Sequence, residues 1–206
     1  MKKQLILGIT LLATGLFSVQ AQDNSSEFLA NTTFELGWGY NIPMSPTDGI
    51  KAGDFSGVNS LYVGAHYQLD DFWGLRGTYA YNGFKDKDNS DFGLTFHKFM
   101  LESTFNISKA ISGVSTQTPF EVLSHTGLGI SVGKSELKSG SDNIGNVQIG
   151  LMPRYNITDK ISVHLDATYV INFSQNYGYN GGPAVENGDS ATGGYFTANL
   201  GVALKL

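Results

Sequence analysis

The sequence predicts an all-β fold, an eight-stranded antiparallel up-and-down transmembrane β-barrel preceded by a signal peptide. Three observations predict it. Eight segments of about ten residues or more alternate apolar and polar side chains with period two, between clusters of Gly, Asn, Asp and Ser. Aromatics of the apolar rows gather near segment ends. Long and short connections alternate along most of the chain.

The first element is the leader. Met1-Lys2-Lys3 is basic, Leu5 to Val19 is an apolar run, and Val19-Gln20-Ala21 offers a small-residue cleavage site before the polar Gln22 to Ser26. That is the layout of a cleaved secretory signal over residues 1–21. A spanning helix needs about 20 apolar residues, and this run is shorter. Residues 22–206 are then one barrel domain. Without Lys2 and Lys3 this domain has 11 basic and 18 acidic residues, a net charge of about −7. Nucleic acid is a poor partner for such a surface. The chain has no Cys, which excludes disulfides, thiolate metal sites and a Cys nucleophile.

The strands fall near 33–42, 60–69, 73–82, 96–107, 120–134, 145–157, 161–173 and 195–206. Each has one uncharged row. Examples are Phe34, Leu36 and Trp38; Leu61, Val63 and Ala65; Phe99 and Leu101; Leu128 and Ile130; Ile149 and Leu151; Leu200 and Val202. The opposite rows carry Glu35, His66, Arg76, Lys98, Glu102, Glu121, His125, Arg154, His164 and Asp166. Periodicity alone does not say which row faces inward. Trp38, Tyr40, Tyr67, Trp73, Tyr79, Tyr81, Tyr155, Tyr169 and Phe173 form the aromatic girdles of a membrane barrel, which places the apolar rows outward. Odd strands are followed by long polar loops near 43–59, 83–95, 135–144 and 174–194, and two even strands by the tight turns Asp70-Asp71-Phe72 and Thr158-Asp159-Lys160. The connection at 108–119 is longer and departs from this pattern. Closure follows because an unpaired backbone group in lipid costs several kcal/mol. Pro153 cannot donate to the ladder, so a bulge or local irregularity is expected there.

Several segments together resemble the barrel domain of OmpA-type outer-membrane proteins, over roughly 28–206. They are Phe34-Glu35-Leu36-Gly37-Trp38-Gly39-Tyr40, Trp73-Gly74-Leu75-Arg76, Tyr81 to Asp86, Thr126 to Ile130 and Asn146 to Leu151. The resemblance implies a bacterial outer-membrane envelope protein with structural, adhesive or weak pore roles, and no peptidoglycan-binding domain within this sequence. Its partners would be outer-membrane lipid and, during insertion, the barrel-assembly machinery. A monomer without cofactor or metal is expected.

Candidate sites follow from the inward rows. The only two arginines of the chain, Arg76 and Arg154, share that side with Glu35, Glu102, Glu121 and Asp166. An eight-stranded lumen is just wide enough for side chains to fill, and buried charges must pair. A lumenal ion-pair network is therefore expected, with the arginines as hubs because a guanidinium can hold two carboxylates. It would act as a structural plug; a gate or selectivity element is the alternative.

Ser162, His164 and Asp166 lie on one strand face, but residues two apart sit about 7 Å from each other, which argues against a catalytic set. The chain is expected not to be an enzyme. A lipid-modifying barrel would need a lipid-facing Ser/His site, and no histidine is expected on the lipid face, with His97 near a strand end unassigned. Asp86 to Asp91 lacks the glycine and the final Glu of a calcium loop. Gly37-Trp38-Gly39 lacks the rest of a dinucleotide motif. The Gly/Asn-rich stretch from Gly178 to Gly194 reads as a mobile exposed loop, and loop 174–194 as the place for a surface ligand. The leading expectation is a structural barrel with a plugged polar lumen and four exposed loops. The alternatives are a small or intermittently open porin, a surface adhesin, and a lipid-modifying barrel enzyme.

Overall fold

The computed structural model describes residues 28–113, 118–186 and 189–206. The expected signal peptide, residues 1–21, lies outside them. Eight strands form one closed antiparallel barrel in sequence order. They are β1 (Thr32–Ser45), β2 (Gly57–Gln68), β3 (Trp73–Lys85), β4 (Gly93–Asn106), β5 (Phe120–Ser135), β6 (Asp142–Asn156), β7 (Ile161–Gln175) and β8 (Ala191–Lys205). The ring closes where β1 pairs with β8, from Thr33↔Lys205 to Ser45↔Gly194.

The turns are built by short polar side chains. Asp70 Oδ1 accepts from the N–H groups of Phe72 and Trp73, both at 2.8 Å, and reverses the chain between β2 and β3. Those bonds hold the Asp70 carboxyl below its ordinary range. Thr158 Oγ1 does the same between β6 and β7, accepting from Ile161 N at 2.9 Å. The longer third connection contains a helix, α1 (Ile107–Ser112). The Asn106 side chain caps it, accepting from Lys109 N at 2.9 Å, and Gly113 ends it at φ 84°. Ile107, expected in a strand, is thereby its first residue.

The apolar rows face outward. Leu36, Leu128, Ile149 and Leu200 are exposed, while Arg76 and Glu102 are almost fully buried. A water-soluble barrel has the opposite arrangement. This is a transmembrane β-barrel, with lipid as the solvent of its outer wall. All nine predicted girdle aromatics lie in outward rows. Tyr67, Trp73 and Tyr155 sit towards the turn end. Trp38, Tyr40, Tyr79, Tyr81, Tyr169 and Phe173 sit higher. From Trp73 to Tyr81 the axial height is roughly 20 Å at the usual strand tilt, close to the lipid-facing band.

The strands are longer than their alternation predicts. A strand of 15 residues, such as β6, rises roughly 38 Å when tilted, well above a lipid band of about 25 Å. The loops are correspondingly shorter, at 46–56, 86–92, 136–141 and 176–190. In the upper part the polarity inverts. Phe84, Leu94, Phe96, Ile144, Val170 and Tyr195 point inward and form a dry core, whereas Lys85, Lys134 and Asn143 face out. One strand thus serves a membrane below and water above. Register shifts lie at this end too, between Gly39 and Asn41, Pro43 and Ser45, and Asn172 and Gln175. At Pro153 there is no bulge. The β6–β7 register is the same before and after, and Met152 and Pro153 are simply unpaired on the β7 side.

Candidate functional site

The turn-end half of the lumen is filled by ionised side chains. Arg76, from β3, is 2% exposed and meets three carboxylates from three other strands. Its Nε donates to Glu35 Oε2 at 2.7 Å, its Nη2 to Asp166 Oδ2 at 2.8 Å and its Nη1 to Glu102 Oε2 at 3.4 Å. Arg154, from β6, donates through Nη2 to the other oxygen of Glu35 at 2.7 Å. The Tyr62 ring stacks on the Arg76 guanidinium at 5.1 Å. Five of the six expected network members, Glu35, Arg76, Glu102, Arg154 and Asp166, come together here. Glu121 does not. It is paired in register with Arg154, yet it lies near the start of β5, half-exposed at the mouth, and makes no ion pair among the described residues. Water solvates it there, so nothing drives it inward.

The histidines complete the layer. His125 Nδ1 lies 2.5 Å from Glu102 Oε2, and its Nε2 lies 3.3 Å from Asp166 Oδ1. Nδ1 donates to the Glu102 carboxylate, and Nε2 also lies 3.3 Å from the Thr168 hydroxyl oxygen. The Thr168 hydroxyl donates to that same Asp166 oxygen, Oδ1, while Oδ2 takes the Arg76 guanidinium. His164 Nε2 pairs with the Tyr62 hydroxyl at 2.5 Å, and His66 Nε2 with Thr104 Oγ1 at 2.8 Å. His164 and Asp166 therefore take separate partners, and no hydrogen bond joins Ser162 to either among the described residues. His97, unassigned from the sequence, points outward. Its Nδ1 bonds the Tyr79 hydroxyl at 2.8 Å, and the Tyr81 ring meets it edge-on.

A second closure sits above the first. The loop after β7, read from sequence as mobile and exposed, folds into the mouth instead. Tyr179 is fully buried against Phe84 and Phe96, and its hydroxyl donates to Gly194 O at 2.6 Å. Burial pushes its phenol pKa well above the usual tyrosine value. Four further bonds pin the loop. Asp142 accepts from Asn176 N and Nδ2 at 2.7 and 2.6 Å, Gln175 Nε2 donates to Tyr177 O at 2.7 Å, and Ser135 Oγ donates to Gly181 O at 2.7 Å. Glycine and asparagine allow this compact path, with Gly181 at φ 82°. Asn176, Pro183, Glu186, Asp189 and Ser190 remain exposed.

Between the two closures lies a small chamber lined by Ser60, Thr78, Lys98, Gln148, Thr197 and Asn199, with Arg76 and Asp166 at its floor. Sequence reasoning put Lys98 on the inward face but gave it no role, and it missed Tyr62, Tyr179 and the aromatic core. Tyr62, Phe84, Phe96 and Tyr195 all have inward parity, which was the available signal. The acidic run at 86–91 is a self-bonded turn, Asp86 Oδ1 accepting from Asp88 N at 2.8 Å and Asn89 N at 3.0 Å. No group of three or more potential metal-binding side chains occurs among the described residues.

No family model and no curated protein matches this sequence. Solved structures do match its fold. One is the Neisserial surface protein A, at TM-score 0.59 and 12% identity, covering 85% of this chain and 97% of that one. Another is the N-terminal β-barrel domain of Pseudomonas aeruginosa OprF, at TM-score 0.50 and 14% identity, covering 84% and 96%.

Proposed function

We propose that the protein is a monomeric structural barrel of a bacterial outer membrane, of the OmpA type, with a lumen closed to ions and solutes. The observation that carries this reading is the double closure. An ion-paired layer centred on Arg76 fills the lower lumen, and an aromatic core under Tyr179 fills the upper one. Either alone obstructs a lumen this narrow. The long loops face outside the cell, and the turns and both strand termini face the periplasm. Lipid is the principal partner, and the barrel-assembly machinery delivers the chain to it. No chemistry is assigned, because the ionised side chains around Arg76 are spent on one another.

A second reading is a small, intermittently open pore, favoured by the chamber between the closures. One experiment separates the two. Refolded protein, verified by its shifted gel mobility unboiled against boiled, is placed in planar lipid bilayers. The closed barrel gives no steady conductance. A sustained ohmic step would overturn the structural reading in favour of the pore.

A further inference from the structure

The lipid-facing wall does not stop at the turn-end girdle. Leu69 and Ile157 lie one outward position beyond Tyr67 and Tyr155, and both are exposed. Ile161, whose carbonyl accepts from Ile157 N across the β6–β7 turn, is exposed too. Between β4 and β5 the same kind of row runs into α1. The Phe105 ring packs against Trp73 with centroids 4.7 Å apart, and Ile107, the next position of that row, opens the helix. Ile111 stands about one turn further along, on the same helix face. It is 80% exposed, more than any other large apolar side chain among the described residues. On the neighbouring strand the outward row of β5 ends in Phe120, also exposed.

The helix is pinned in this place. Asn106 caps it, the Ser108 hydroxyl accepts from Val122 N at 2.8 Å, and Lys109 Nζ lies 3.9 Å from Asp71 Oδ1. Lys109 falls nearly opposite Ile107 and Ile111 around the helix axis, so α1 has an apolar face and a polar one. In water such an apolar face is a cost; at the edge of a bilayer it is a foothold.

We infer that α1 is an interfacial anchor: its Ile107–Ile111 face, together with Phe120, docks on the acyl chains of phospholipid in the leaflet at the turn end. The occupant is phospholipid because the patch continues a wall that already has lipid as its solvent. Lys109 stays at headgroup level, and the anchor fixes how deep this end of the barrel sits. The inference rests on the transmembrane assignment of the wall and is independent of whether the lumen is closed.

The chain has no Cys, so Ile111→Cys carries a single thiol, with Ile107 and Phe120 still in place. The refolded variant in nanodiscs of dioleoylphosphatidylcholine, which leave both bilayer faces open, is alkylated with a charged maleimide or with an apolar one. Asp159→Cys, in the exposed β6–β7 turn, and Leu101→Cys, on the outer wall of β4, are the references. Rates are normalised to those of each chain unfolded in urea. The charged reagent is expected to react about tenfold more slowly at position 111 than at 159, while the apolar reagent still modifies position 111. Equal rates at 111 and 159 with the charged reagent overturn the proposal. Slow reaction of position 111 with both reagents overturns it too, because the cover is then protein. If Leu101→Cys also reacts with the charged reagent as fast as Asp159→Cys, the transmembrane assignment itself fails, a result distinct from exposure of position 111 alone. Should Ile111→Cys lose the shifted gel mobility of the folded form, Phe120→Cys carries the same comparison.

Discussion

At the scale of single residues, Arg76 carries the lower closure. Among the described residues it is the one side chain that reaches three carboxylates, and its planar fork is the reason an arginine stands there. Replacing it with Ala leaves those carboxylates packed together in a dry interior. The expected loss is about 3–5 kcal/mol, read from the urea midpoint of refolding into detergent or lipid. Arg76→Lys is expected to recover only part of it, since an ammonium cannot hold the same three partners in one plane. Most of this cluster was legible in the sequence. Strand parity put Glu35, Arg76, Glu102, Arg154 and Asp166 on one side, and the shortage of space forced them together. Glu121 shares that parity but not their depth, and parity says nothing of depth. His125 went unassigned because its role depends on which carboxylates face it across the lumen.

At the scale of elements, the strands fit one another through paired large and small inward residues. Gly150 lies opposite His125 in the β5–β6 register. A methyl group built on Gly150 would meet the His125 ring and the Ala167 carbonyl well inside contact distance. Gly201 stands in the same relation to His164, and Gly37 to Tyr62. Gly150→Ala is therefore expected to cost about 1–3 kcal/mol by overpacking, and His125→Ser to lose stability separately, because Glu102 loses its imidazole partner. Thermal loss of the compact gel form measures both. The turn at Asp70 makes a separate prediction. Its pKa is lowered in the fold, so its contribution is complete above the ordinary carboxylate range and is lost as pH falls through its folded value. Asp70→Ala should unfold more easily than wild type near about pH 6, and the difference should shrink as pH falls below about 4. The elements themselves were mostly legible, since alternation marks a strand directly. The loop after β7 was not. Gly and Asn read as mobility, and the tertiary contacts of Tyr179 overrule that local signal.

At the scale of the whole molecule, two solvents divide one wall. The sequence shows the lower boundary clearly, through Tyr67, Trp73 and Tyr155. The upper one is blurred because the strands continue past it with inward and outward polarity exchanged. That exchange is why the alternating segments ended short of the real strands. Ile149, 61% exposed on the outer wall, tests the assignment. Ile149→Arg is expected to cost about 2–4 kcal/mol near the bilayer midplane, whereas Asn143→Arg, above the lipid on the same strand and face, should be nearly neutral. Equal effects of the two on refolding into vesicles would mean that β6 carries no such boundary.

The seam between β1 and β8 has a kinetic meaning. Its pairs join residues from 149 positions apart (Ser45 and Gly194) to 172 (Thr33 and Lys205), so neither partner finds its neighbour until the final segment is present. Any shortened or still-emerging chain holds two open edges, each a row of bare amides that hydrocarbon rejects. Insertion of this barrel is thus a late, all-at-once event, and its earlier strands must be kept from one another and from other chains until the last one arrives.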